Sequence, residues 1–276
     1  MEKIQKALAK ARDSREGGTP STPRERTAPA PARGPQVQHD GDPWSLLQKF
    51  HPDEARLIQS RIMTLHTGQA ATHFDVMRTK TLQTMRANNW RRLAITSPSP
   101  SAGKSTIALN LAFSIARQPD LRAILAELDL RRPSIGKTLN ITPPHGIADV
   151  LRGRVDFADQ ALCHNDNMAF SLSKGSVGNT AELLNSAEIV NQLADIEARF
   201  APDVMIFDMP PMLVNDDMMA FAGQVDCVLL VAAAETTTVK EIDTCERELA
   251  SQTNVMGVAL NKCRYMGPDY GYSYYS

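Results

Sequence analysis

Three short stretches carry residues whose types and spacing could do chemistry. The first is SPSPSAGKST, residues 97–106. A glycine followed by Lys and Ser/Thr, between a strand and a helix, builds a loop whose backbone N–H groups cradle phosphates. Lys104 would reach the outer phosphate oxygens, and the Ser105 hydroxyl would bind Mg²⁺. Ser101, Ala102, Gly103 and Thr106 complete the loop. Pro98 stands where the full pattern has its first glycine. The second stretch, RAILAELDLRRP, ends in Glu127 and Asp129. Carboxylates two apart at the C-terminal end of a parallel strand face the crevice where ligands bind in such sheets. One could hold a metal and another take a hydroxyl proton. Alone, such a pair is commonly no more than a polar strand exit. The third stretch, VMIFDMPP, places Asp208 after four apolar residues. That is the arrangement of a Walker B carboxylate, which helps hold Mg²⁺.

The elements that must position these residues follow from the apolar pattern. RRLAITS, RAILAEL, MAFSLS, DVMIFDM, VDCVLLVAA and VMGVALNK read as strands. Between them, KSTIALNLAFSIARQ, IADVLRG, AELLNSAEIVNQLADIEARF and TVKEIDTCERELASQ read as helices. Upstream, HFDVMRTKTLQTMRANNW is a helix with Phe74, Met77, Leu82 and Met85 near one face, and 44–66 is expected to be helical. Strands alternating with helices, several of them apolar throughout, predict an α/β fold: a mostly parallel sheet with helices on both faces.

Composition narrows the function classes. The net charge of −1 gives no overall attraction to nucleic acid, and none is expected as a partner. The four cysteines, Cys163, Cys227, Cys245 and Cys263, form no C-x-x-C pair, which argues against a zinc knuckle, a disulfide framework or an iron–sulfur site. The longest apolar run, CVLLVAAA, falls well short of the ~18 residues of a membrane span. Residues 1–15 set Ile4, Leu8 and Ala11 among lysines and arginines, a short basic amphipathic helix, either solvated or used for docking. Residues 16–43, rich in Pro, Gly, Thr and Ala, read as a disordered linker. The nucleotide-binding domain with its preceding helices is then expected over 44–264. The last stretch, 265–276, reads as a flexible tail holding all five tyrosines of the chain: Tyr265, Tyr270, Tyr272, Tyr274 and Tyr275.

The order G-K-S, hydrophobics–E-x-D-x-R, hydrophobics–D-x-P-P and terminal Tyr cluster resembles the bacterial tyrosine kinases of capsule and exopolysaccharide systems, from about residue 74 onward. Residues 1–12 also resemble the start of the soluble members. The resemblance implies a P-loop NTPase fold, ATP and Mg²⁺ as cofactors, and autophosphorylation of the five tyrosines between subunits. Carried over by position, Lys104, Glu127, Asp129 and Asp208 are the catalytic set. Ser105, Asp129 and Asp208 serve the metal, Arg131 matches the Arg of the second motif, and Asn261 falls where related ATPases contact the base. Glu127 stands where the family has Asp, keeping the charge but moving it by one methylene. Ser101 and Ala102 replace the family's usual Gly and an acidic or small residue. The ring-forming E-x-x-R-x-x-R register reads Thr72, Asp75, Arg78 here, so only its last position survives.

The implied partner is a membrane-embedded co-polymerase of polysaccharide chain-length control whose cytoplasmic tail activates the kinase. The chain itself would be cytoplasmic, recruited to the inner face of the membrane. Two other readings share the phosphate loop. A MinD/ParA-type ATPase would carry a second lysine early in the loop, where Ser99 stands here, and has no need of a tyrosine tail. A nucleotide-binding regulatory subunit of an export complex would use the tail as a sticky aromatic segment.

Overall fold

The computed structural model describes residues 41–264. The expected basic helix, nearly all of the linker and the five tyrosines lie outside the described residues. The chain divides after Gly41, and the whole sheet belongs to the second unit.

In chain order the second unit contains β1 (Gln48–Lys49), α1 (Glu54–Gln59), α2 (Thr72–Ala87), β2 (Arg92–Thr96), α3 (Lys104–Ala116) and β3 (Ala123–Glu127). Then come α4 (Ile135–Leu139), α5 (Ile147–Leu151), α6 (Phe157–Gln160), β4 (Leu162–His164) and β5 (Met168–Ser171). They are followed by α7 (Thr180–Leu184), α8 (Ala187–Phe200), β6 (Val204–Asp208), α9 (Asp217–Phe221), β7 (Cys227–Ala233), α10 (Val239–Ala250) and β8 (Asn254–Asn261). The strands form one sheet in the order β1-β4-β5-β3-β6-β2-β7-β8. Every neighbouring pair is parallel except β4 and β5, which run antiparallel.

Alternation along the strands divides the interior into two apolar layers, as the two-residue period of a strand requires. Leu93, Ile95, Leu125 and Ile206 face α1 to α4, packing with Leu57, Met85, Phe113 and Ile135. Ala94, Ile124, Phe207 and Leu230 face the other way, onto Val150, Leu193, Phe200, Phe221 and Leu249 of α5, α8, α9 and α10. Both faces are thus covered, which is why these strands are apolar without polar alternation.

Two expectations are corrected. Residues 44–66 are not one helix: a 3₁₀ turn over Pro43–Leu46 leads into β1, and helix forms only over Glu54–Gln59. Pro52 keeps the residue before it extended, and the Asp53 carboxylate then caps the new helix at the Arg56 N–H. Residues 181–200 form two helices rather than one, because Ser186 is extended (ψ 155°) between α7 and α8. The antiparallel pair was not foreseen. It turns through Asn165 and Asp166, both in the left-handed region at φ 51° and 59°, where Asn and Asp are tolerated.

Candidate active site

The sheet order explains why the three stretches meet. Strand β6 lies between β3 and β2, and its Asp208 is in register with Glu127 on one side and Ile95 on the other. The phosphate loop leaves β2 one residue beyond Ile95. Both acidic strand exits therefore open beside that loop, at the carboxyl edge of the sheet where doubly wound folds bind ligands.

The loop is tied down from three directions. The Met212 and Leu213 amides donate to the carbonyls of Ser97 and Pro98 at 2.8 and 3.0 Å. The Ser99 hydroxyl donates to Glu241 at 3.0 Å, while the other oxygen of Glu241 accepts from Thr238 at the start of α10. The Asn261 side-chain amide donates to the Ala102 carbonyl at 2.9 Å. Gly103 has φ 96°, and a Cβ there would lie 2.1 Å from Asn261 Nδ2. Only glycine meets both conditions. Ser101 is also left-handed (φ 62°) and is exposed. Thr106, in the first turn of α3, accepts from Asn110 through its carbonyl at 2.9 Å.

Lys104 Nζ sits 2.6 Å from Asp129 Oδ2, with both side chains largely buried. Burial alone would lower the lysine pKa, but the negative charges of Asp208, Asp129 and Glu127 outweigh it and raise the pKa instead. The second oxygen of Asp129 accepts from the Arg132 amide at 3.1 Å. Asp208 is wholly buried, and neither of its carboxylate oxygens has a hydrogen-bond partner. Its desolvation pushes the pKa to about 6, against the opposing pull of Lys104 and the nearby Ser105 hydroxyl. Glu127 is equally buried. Desolvation lifts it to about 7 although three backbone amides donate to it: Ile135 and Ser134 at 2.6 Å and Ser173 at 3.0 Å. The Ser134 hydroxyl lies 3.3 Å from that of Ser105.

One lysine thus faces three buried carboxylates. A site short of positive charge, with two bare carboxylate oxygens next to a hydroxyl, fits a hard divalent cation. The described residues contain no cluster of three His, Cys, Asp or Glu side chains able to cage a metal. Mg²⁺ is usually held by one or two carboxylates together with substrate phosphates, and Asp208 beside the Ser105 hydroxyl offers a partial set of that kind.

Arg131 lies beside this cluster, and its guanidinium is held in a two-point bond by Asp217, Nε to Oδ2 at 2.9 Å and Nη2 to Oδ1 at 3.0 Å. Asp217 is fully buried and also accepts from Thr180 at 2.7 Å. No sequence signal singled out Asp217, Ser134, Ser173 or Glu241. The Asp217–Arg131, Ser173–Glu127 and Glu241–Ser99 bonds span 86, 46 and 142 residues, whereas Ser134 reaches Glu127 from only seven residues away, around the turn that leaves β3. Away from the site, Asp75 takes the Ser114 hydroxyl at 2.6 Å and pairs with Arg117, and Arg78 donates to the Ser114 carbonyl at 3.0 Å. Asp75 and Arg78, of which only Arg78 keeps the residue type of the ring-motif register, are thereby engaged with α3 of their own chain.

No protein-family model matches the chain. The tyrosine-protein kinase YwqD of Bacillus subtilis is 30% identical over 185 residues, 66% of this chain and 77% of that protein. The tyrosine-protein kinase ptk of Acinetobacter johnsonii is 31% identical over 203 residues, 72% of this chain but 26% of the relative. The chain therefore spans about a quarter of the length of some curated relatives it matches. Among solved structures, the kinase domain of the Escherichia coli tyrosine kinase ETK superposes with TM-score 0.64 at 27% identity, over 75% of this chain and 82% of that one. Cobyrinic acid a,c-diamide synthase from Mycobacterium smegmatis, with bound ATP analog and magnesium, shares the fold at TM-score 0.53 and 18% identity, over 62% of this chain and 72% of that one.

Proposed function

The chain belongs to the bacterial tyrosine-protein kinase family, and from that premise we propose that it transfers the γ-phosphate of Mg-ATP to tyrosines of its own C-terminal cluster. The observation that carries this reading is the convergence of Lys104, Ser105, Asp129 and the bare Asp208 carboxylate on one strand-exit crevice. A phenol has a pKa near 10, so it needs its proton removed and its oxygen placed in line with the γ-phosphorus. The new bond joins the tyrosine oxygen to phosphorus, the bond to the β–γ bridging oxygen breaks, and ADP leaves with that electron pair.

In this reading Lys104 exchanges Asp129 for the phosphates, following the charge that develops on the bridging oxygen. Asp129, released from the lysine, is a carboxylate able to receive the phenol proton. Backbone amides of Ser101 to Thr106 cradle the phosphates. Ser105 and Asp208, with Asp129 alongside, would hold Mg²⁺, which would supply charge neutralisation for the transferring phosphoryl group. Arg131 steadies the segment after β3 from its anchor on Asp217, and Asn261, near the loop, borders the expected place of the base.

The acceptors are Tyr265, Tyr270, Tyr272, Tyr274 and Tyr275 on a neighbouring copy, and the output is control of capsule or exopolysaccharide export. No described helix is long and apolar enough to cross a membrane. Recruitment to the membrane is assigned, by the family resemblance, to a membrane-embedded partner whose cytoplasmic segment activates the kinase. The MinD/ParA-type reading is not favoured, since the curated relatives above are named kinases.

The test is incubation of purified protein with Mg-ATP followed by a phosphotyrosine blot, beside Lys104→Met. Signal in the wild type and a loss of 100-fold or more in the variant are expected. A wild type that stays unlabelled even with its partner's cytoplasmic segment added would defeat the kinase reading.

A further inference from the structure

We infer that Glu127, which occupies a position matched to a catalytic aspartate, is a positioning residue that braces the two loops following β3 and β5. The inference rests on the phosphotransfer reading for its consequence and on geometry for its substance. Glu127 sits at the end of β3 with no exposed surface. Its Oε1 accepts the amides of Ser134 and Ile135, both at 2.6 Å. Its Oε2 accepts the amide of Ser173 at 3.0 Å. The first two belong to the segment leaving β3 and the third to the segment leaving β5, and these strands are sheet neighbours. One carboxylate therefore joins the two chain segments close to the sheet edge, and farther out the Val177 amide ties them again by donating to the Leu130 carbonyl at 2.9 Å.

The segment held by Oε1 matters to the site. It includes Arg131 with its Asp217 anchor, Arg132 whose amide fixes Asp129, and Ser134 whose hydroxyl lies 3.3 Å from that of Ser105. Bracing Ser134 thus sets the wall against which Ser105 and Asp129 are placed. A carboxylate that already accepts three buried amides is committed to them: a metal or a proton at either oxygen competes with at least one of those donors, at about 1–3 kcal/mol for each donor left unpaired. The residue type fits the task. Aspartate, one methylene shorter, would draw the carboxylate back toward the strand and lengthen its bonds to one or both loops unless the backbone moves.

The two roles predict opposite rankings of two variants. Glu127→Asp keeps a base but shortens the brace. Glu127→Gln removes the base but keeps the length and one acceptor oxygen. The experiment measures kcat and KM for Mg-ATP, together with amide hydrogen exchange of Ser134, Ile135 and Ser173 in the nucleotide-free protein. The amides of Leu93 and Ile206 report whether each variant remains folded.

For a positioning residue, Glu127→Asp releases at least one of the three amides by tenfold or more and raises KM. Glu127→Gln keeps Ser134 and Ile135 protected and retains activity within about tenfold of wild type. The inference is overturned if Glu127→Gln loses 1000-fold in kcat with KM unchanged while Glu127→Asp stays active and fully protected. If the wild type makes no phosphotyrosine, the kinase reading fails by itself. The exchange data then decide the brace: release in Glu127→Asp supports it and unchanged protection overturns it. Should Glu127→Asp fail to fold, retained protection in Glu127→Gln supports the brace, and its loss at Ser134 and Ile135 overturns it.

Discussion

A buried carboxylate without a partner disfavours its own charged form, and in Asp208 the effect has a definite sign. Its pKa stands at about 6 against 3.8 for the free side chain, chiefly through desolvation. The folded state then holds a proton more tightly than the unfolded chain does. The stability this provides is complete below pH 3.8 and is lost as pH rises through about 6. Glu127 acts in the same direction between 4.5 and about 7, again through burial. The metal-free protein is expected to melt at a lower temperature at pH 8 than at pH 5. Asp208→Asn should remove its own share, about 2–3 kcal/mol at pH 8, so the variant melts above wild type there while losing phosphotyrosine activity. Thermal melts by circular dichroism at the two pH values decide it; a variant no more stable than wild type at pH 8 would contradict the account. A stability gain coupled to lost function is the signature of a strained site. Glu127, Asp129 and Asp208 could be placed at strand exits from the sequence because apolar runs end there. Asp217 could not be distinguished from Asp216 beside it, since its burial depends on Arg131 and Thr180 arriving from elsewhere.

At the scale of elements, the turn from β2 into α3 depends on a residue at the end of β8, the edge strand two places away in the sheet. Asn261 closes on Ala102 across the empty side of Gly103. Gly103→Ala forces a left-handed φ on a residue with a Cβ and drives that atom into Asn261. The variant is expected to bind ATP at least tenfold more weakly. Adding Asn261→Ala to it should recover part of the loss, because the clash goes while the backbone strain stays. Calorimetric titration of the two single variants and the double variant tests this, and strictly additive losses would refute it. The strands β2, β3, β6, β7 and β8 were legible as apolar runs, and α3, α8 and α10 as periodic ones. Less legible were segments whose shape is set by single residues: Pro52 and Asp53 before α1, Ser186 between α7 and α8, and Asn165–Asp166 in the hairpin. A three-residue strand such as β4 carries too few side chains for any period to emerge.

At the scale of the molecule, the catalytic crevice and the expected acceptors belong to separable parts of the chain. Lys262 follows β8, the last strand and one edge of the sheet. Ending the chain after Lys262 leaves the described core intact. This truncated protein is expected to bind Mg-ATP as tightly as the full chain, to lose autophosphorylation, and to phosphorylate added full-length Lys104→Met protein in trans. Mixing the two and blotting for phosphotyrosine tests all three points, and an unlabelled Lys104→Met partner would count against transfer between copies. The sheet order has a further consequence, for synthesis. Strand β2 is flanked by β6 and β7, so the strand that launches the phosphate loop emerges from the ribosome long before either neighbour. From Thr96 to Ala233 that interval is on the order of ten seconds at ordinary elongation rates. Asp208 arrives only near its close, so the nascent chain must extend past β6 before nucleotide and metal can stabilise the phosphate loop.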